Sequence, residues 1–134
     1  MALSASLDGL RILILEDEYL IAMDVEQICR DAGAADVAIV DNLAGFDTPA
    51  AFSFDAAILD LMLNGASTLP FAARLQREGV PFVFASGHGI SDELNRDFPG
   101  VALVEKPYSG GDLIAAVAAA LKVPPLQSAG DVIT

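Results

Sequence analysis

The sequence predicts a doubly wound α/β fold, a five-stranded parallel sheet with helices on both faces. Three observations predict it. Short apolar runs alternate with segments of helical periodicity along the chain. The runs lack polar alternation, as strands covered on both faces do. The strand–helix unit recurs five times in strict order, and right-handed crossovers turn such a repeat into a parallel sheet between two helical layers.

The first strand is Arg11-Ile-Leu-Ile-Leu15, an apolar run with no polar break. Residues 19 to 32 then place Ile21, Val25, Ile28 and Ala32 on one stripe, which predicts a helix ended by Gly33. Asp36 to Val40 is the second strand, and a weak helix interrupted by Pro49 is expected over about 43 to 52. Ala56 to Leu59 is the third strand and runs into Asp60. Residues 67 to 78 form a helix with Pro70 tolerated near its start and Gly79 closing it. Pro81 to Ala85 is the fourth strand. Ser91 to Asp97 has room only for a short polar helix, in a Gly-rich stretch poor in apolar residues up to Leu94, so a helix that is short, mobile or absent is expected. Val101 to Val104 is the fifth strand. Ser109-Gly-Gly-Asp112 resembles a capping box opening an Ala-rich helix to Lys122, with Leu113, Val117 and Leu121 facing the core. The domain is expected over residues 10–122, with an N-terminal extension at 1–9 and a flexible tail at 123–134.

Composition narrows the class. A chain of 134 residues that is 54% apolar is long enough for one domain with a real core. Its longest strongly apolar runs, such as Ile12 to Leu15 and Pro81 to Ala85, are far too short to span a bilayer. Met1 to Gly9 lacks the basic start and long apolar stretch of a secretory signal. The single cysteine, Cys29, excludes an internal disulfide, suits a reducing compartment and is expected to pack as a small hydrophobe; a cytoplasmic location follows as the expectation. With 7 basic against 19 acidic residues the formal charge is −12, which repels phosphate backbones, so neither direct nucleic-acid binding nor a membrane partner is expected.

Ligands of an open α/β sheet bind beyond the carboxyl ends of its strands. The residues there are Glu16, Asp17 and Glu18 after the first strand, Asp60 after the third, Ser86 after the fourth and Lys106 just beyond the fifth. Asp41, at the exit of the second, reads as an ordinary loop acid. Carboxylates crowded at one edge repel, by on the order of 4 kcal/mol per pair at ~4 Å and an effective dielectric of about 20. Either one protonates or a cation lies between them. Mg²⁺ is the natural choice, a hard ion with oxygen ligands, whereas no His or Cys cluster suggests zinc. Lys106 could neutralise an incoming phosphoryl oxygen, Ser86 could donate a hydrogen bond to another, and the backbone N–H of Gly87 is free to approach closely. Each residue alone has a plainer role: Asp60 as a helix cap, Ser86 as a turn residue, Lys106 as a solvated lysine. Together, at four strand ends of one predicted sheet, they read as a site.

In this order the residues resemble the receiver domains of two-component response regulators, over residues 10 to 122. The resemblance implies a flavodoxin-like strand order, 2-1-3-4-5. It implies that Glu16 and Asp17 hold Mg²⁺, that Asp60 in Ile-Leu-Asp-Leu-Met is the phosphoacceptor and a metal ligand, and that the backbone carbonyl of Met62 is a further ligand. Ser86 matches the hydroxyl that swings toward the phosphoryl group, and Lys106, in Glu-Lys-Pro-Tyr, the family's lysine. Pro81-Phe-Val-Phe-Ala-Ser-Gly-His-Gly89 is similar to the "FAT-GUY" single-domain receivers, with Ser86 for their threonine and His88 for their tyrosine. The Leu63-Asn-Gly and Ser67 to Pro70 segments are similar as well. The family's switch aromatic falls at Leu103, a departure from its pattern.

The implied function is a phosphoacceptor switch and not an enzyme in its own right. Asp60 takes a phosphoryl group from a histidine kinase or histidine phosphotransfer protein, with output through contact with an unidentified protein or phosphate relay. The outer face of the last helix, with Ala115, Ala118 and Ala119, reads as a docking or homodimer surface or as plain helix propensity. Two other readings stand beside it. A degenerate receiver would only bind partners, and a Mg²⁺-dependent aspartyl phosphatase would want an acid two residues after its nucleophile, where this chain has Met62. A GxxxxGK[ST] phosphate loop is missing, and Glu16-Asp17-Glu18 stands where a flavin-binding module would carry its loop.

Overall fold

Successive side chains of a strand point to opposite faces, so an unbroken apolar strand needs cover on both sides. The computed structural model, which describes residues 6–43, 53–86, 92–106 and 109–122, provides that cover. In chain order the elements are β1 (Arg11–Leu15), α1 (Tyr19–Asp31), β2 (Asp36–Val40), β3 (Ala56–Leu59), β4 (Met62–Leu63), β5 (Ala66–Ser67), α2 (Leu69–Glu78), β6 (Phe82–Ser86), α3 (Asp92–Asp97), β7 (Leu103–Glu105) and α4 (Gly110–Lys122). Five strands form one parallel sheet in the order β2-β1-β3-β6-β7. Counting only these, the order is 2-1-3-4-5, the flavodoxin-like arrangement expected.

The alternation along each strand sorts the core into two layers. Leu13, Leu15, Ala57, Leu59, Phe82 and Phe84 pack with Phe71, Ala72 and Leu75 of α2 and with Leu94 and Phe98 of the α3 segment. Ile12, Ile14, Ala56, Ile58, Val83 and Ala85 pack on the other face with Val25 and Cys29 of α1 and Leu113, Ile114 and Val117 of α4. Phe82, Phe84 and Phe98 meet edge to face, with ring centroids 5.5, 5.6 and 5.9 Å apart, the geometry that aromatic quadrupoles favour. Leu103 packs on this first layer, partly buried. Among the described residues, no helix is long and apolar enough to cross a membrane.

Several boundaries differ from the sequence reading. The line of α1 nearest the sheet runs through Ala22, Val25, Cys29 and Ala32, and Ile21 and Ile28 only flank it. Small residues let the helix approach the sheet, while Ile28 meets the start of α4, where a Cβ on Gly110 would stand 3.3 Å from it. The helix expected over 67–78 begins at Leu69, because Ser67 is used in a strand and Thr68 is the N-cap. Gly79 closes it at φ 78°, a left-handed cap that glycine adopts freely. The fifth sheet strand begins at Leu103 instead of Val101. Ser109 caps α4, accepting the Asp112 N–H on its hydroxyl at 3.0 Å.

The stretch expected as an N-terminal extension makes contacts with the end of α1. Leu7 is fully buried in the α1/α4 layer, its N–H donating to the Ala32 carbonyl at 2.9 Å while that of Gly9 donates to Gly33 at 3.0 Å. The segment occupies carbonyls that the end of α1 leaves open. A single leucine carries no periodicity, so nothing in the pattern announced it. The weak helix expected near 43–52, Gly87 and His88, and the tail 123–134 fall wholly or mainly outside the described residues.

Candidate functional site

Register builds the site. Leu15 pairs with Val40 on one side and Leu59 on the other, and Leu59 with Phe84. One residue further on, β2, β1 and β3 run out together, which sets Glu16 and Asp60 side by side on neighbouring strands, while β6 continues to Ser86. The Glu16 N–H still donates to the Val40 carbonyl at 3.1 Å and the Asp60 N–H to the Leu15 carbonyl at 3.0 Å, fixing both backbones before their side chains depart. β6 and β7 both run two residues past the level of Phe84 and end together: Ser86 pairs with Glu105, and the Lys106 N–H donates to the Ser86 carbonyl at 2.8 Å.

Lys106 reaches back across the sheet end. Its Nζ lies 3.0 Å from Glu16 Oε1 and 3.2 Å from Asp60 Oδ2, with Glu18 Oε1 at 4.0 Å. Glu16, Asp17 and Asp60 each present a carboxylate oxygen, all within 4.8 Å of one another. Asp17 is held from the far side, accepting the Asn64 N–H at 2.7 Å. Of the residues expected at the site, Glu16, Asp17, Asp60 and Lys106 come together. Ser86 is buried at the end of β6, one strand over from Asp60.

Burial dominates the electrostatics. Glu16 is 4% exposed, and its desolvation lifts the carboxyl above the usual carboxylate range, aided by the Asp60 charge and opposed by the hydrogen bond and charge of Lys106 and by the Glu18 N–H. Burial pulls the Lys106 ammonium down, but the hydrogen bond to Glu16 and the charges of Asp60 and Glu16 outweigh it and leave the pKa above that of an ordinary lysine. Three carboxylates against one ammonium leave two negative charges in surplus, the charge of one divalent ion. Oxygen-only donors at this spacing fit a hard cation such as Mg²⁺.

The hairpin after Asp60 was not foreseen. Met62 and Leu63 pair antiparallel with Ser67 and Ala66. The turn between them is Asn64-Gly65, both at positive φ (51° and 83°), as a two-residue hairpin loop requires. The Asn-Gly dipeptide between apolar residues was the available signal. Closely and widely spaced rungs alternate in such a ladder, and the Thr68 N–H donates to the Leu61 carbonyl at 2.9 Å. The neighbouring Met62–Ser67 rung is then the one without cross-strand hydrogen bonds, which leaves the Met62 carbonyl outside the ladder. Its side chain is 48% exposed.

Similar proteins carry the same architecture. Sensory transduction protein RegX3 of Mycobacterium tuberculosis is 32% identical over 117 residues, 83% of this chain and 50% of that protein. The response regulator receiver protein of Sinorhizobium medicae superposes with a TM-score of 0.72 at 24% identity, over 87% of this chain and 98% of that one. The non-phosphorylated HemR receiver domain of Leptospira biflexa gives 0.71 at 20% identity, over 86% and 96%. No protein-family model matches the chain. Fold and relatives define a class, the receiver domains of response regulators, and this chain belongs to it. It spans about half the length of the curated relatives it matches.

Proposed function

We propose that the chain is a Mg²⁺-dependent phosphoacceptor whose acceptor is Asp60. One observation carries the reading: Lys106 bridges Glu16 and Asp60 at hydrogen-bond distance, with Asp17 completing a carboxylate trio on the same rim. An Asp60 carboxylate oxygen attacks the phosphorus of a phosphohistidine, the P–N bond breaks, and the imidazole leaves with the bonding pair. The product is an acyl phosphate on Asp60. When bound, the divalent ion would offset charge on the phosphoryl oxygens. Glu16, Asp17, Asp60 and the Met62 carbonyl are the residues that would hold it. Lys106 already hydrogen-bonds Asp60 and would pair with a phosphoryl oxygen, and the Ser86 hydroxyl and Gly87 N–H are suited to the others.

The donor is a histidine kinase or a histidine phosphotransfer protein, as the family relationship supports. The likeness of residues 81–89 to the FAT-GUY receivers supports output by protein–protein contact or phosphate relay in the cytoplasm. The α4 face bearing the exposed Ala115 and Ala119 is the surface proposed for an output protein or a second copy.

Incubation with Mg²⁺ and acetyl phosphate tests the reading. The expected product is an acid-stable, base-labile adduct in the wild type that Asp60→Asn does not form. A folded wild type that forms no adduct leaves only a partner-binding receiver.

A further inference from the structure

Thr68 is the N-cap of α2, a position where a threonine hydroxyl ordinarily accepts an N–H of its own helix. Here it makes no such cap. The Leu69 N–H goes instead to Ser67 Oγ at 3.1 Å. The Thr68 side chain is fully buried and its hydroxyl donates to the Asp60 carbonyl at 2.5 Å, with the Leu61 carbonyl 3.1 Å away. The Leu61 carbonyl also accepts the Thr68 N–H. Two of the three carbonyls from Asp60 to Met62 are therefore tied to one residue, and the third, that of Met62, is left outside the ladder. At its far end the same hairpin holds Asp17 through the Asn64 N–H and, through the Asn64 amide, the Asp41 carbonyl.

We propose that Thr68 is a positioning residue for Asp60: by giving up its helix cap to bind the Asp60 carbonyl, its hydroxyl sets the acceptor and the free Met62 carbonyl relative to Asp17. The inference rests on the reading of the rim as a Mg²⁺-dependent phosphoacceptor. Partners one shell out from a metal commonly change its affinity by about 10- to 100-fold when removed.

The test compares wild type, Thr68→Val, Thr68→Ser and Gly65→Val by calorimetric titration with Mg²⁺ and by the rate of phosphorylation from phosphoramidate. Thr68→Val keeps the shape and loses the hydroxyl; it is expected to weaken Mg²⁺ by about 10-fold or more and to slow phosphorylation. Thr68→Ser restores the hydroxyl and is expected to recover most of both. Gly65→Val acts only on the turn, since φ is 83° and nothing lies within 4 Å of an added Cβ. It is expected to weaken Mg²⁺ from the exposed end of the hairpin, and it decides the matter if Thr68→Val does not fold. Wild-type Mg²⁺ affinity in Thr68→Val, or in Gly65→Val where that variant decides, overturns the proposal, as does a Thr68→Ser variant as impaired as the valine. A wild type that binds no Mg²⁺ and takes no phosphate overturns the reading of the site itself.

Discussion

The Lys106 ammonium lies 3.0 Å from the Glu16 carboxylate across 90 residues of chain, at the edge of the sheet where β1 and β3 end together. That contact makes the acidic rim tolerable in the absence of metal, and it has a pH signature. Glu16 titrates above its ordinary value, so between the two values the folded state keeps a proton that the unfolded chain has lost. Stability from this group therefore rises as pH falls through that window. Removing Lys106 removes the opposing pull and widens it. Lys106→Met is expected to cost about 2 kcal/mol at pH 7, the order of a lost charged hydrogen bond, and clearly less at pH 5. Urea unfolding at both values checks this; equal losses would contradict it.

Metal should stabilise the fold. An ion that binds only the native state at a hundred times its Kd adds about 2.7 kcal/mol. For a domain of this size that is a rise in Tm of roughly 10 °C. Asp17→Asn is expected to lose most of the rise, since it removes one of the three carboxylates that would hold the ion. Thermal melts across a Mg²⁺ series measure it.

The Cys29 thiol should be silent. It is fully buried on α1, and desolvation pushes its pKa up to about 12, with the neighbouring Arg30 pulling the other way. The thiolate is the reactive form, so a disulfide reagent at neutral pH is expected to label the unfolded protein and not the native one. Above the ordinary thiol range the unfolded state ionises first, and stability from this group is expected to fall as pH climbs from about 9 toward 12.

The α3 segment should be the weak edge of the α2/α3 layer. Six residues cannot hold a helix alone, and the segment is pinned by Leu94 and by Phe98 against Phe82 and Phe84. Phe98→Ala is expected to cost about 3–4 kcal/mol. Hydrogen exchange should show residues 92–98 opening well before β6, and uniformly slow exchange there would refute it.

What was legible follows the same physics. The strands announced themselves because burial on two faces demands unbroken apolar runs, and Glu16, Asp17, Asp60 and Lys106 stood out as polar residues where those runs stop. The centre of α1 was misplaced because Ile21 and Ile28 outweigh Ala22 and Cys29 in apolar pattern, though only the small pair fits closest to the sheet. Asn64 and Thr68 escaped because they act on backbone: a turn N–H on a carboxylate and a hydroxyl on a carbonyl leave no charge pattern. Leu7 escaped for want of any period.

The most direct test maps the phosphoryl group. After reaction with phosphoramidate in Mg²⁺ or in EDTA, peptide mass spectrometry should find one phosphoryl group, on Asp60, and only with the metal present. Modification at another residue, or the same yield in EDTA, would contradict the claim that the carboxylates of Glu16, Asp17 and Asp60 are gathered for a divalent ion and a phosphate.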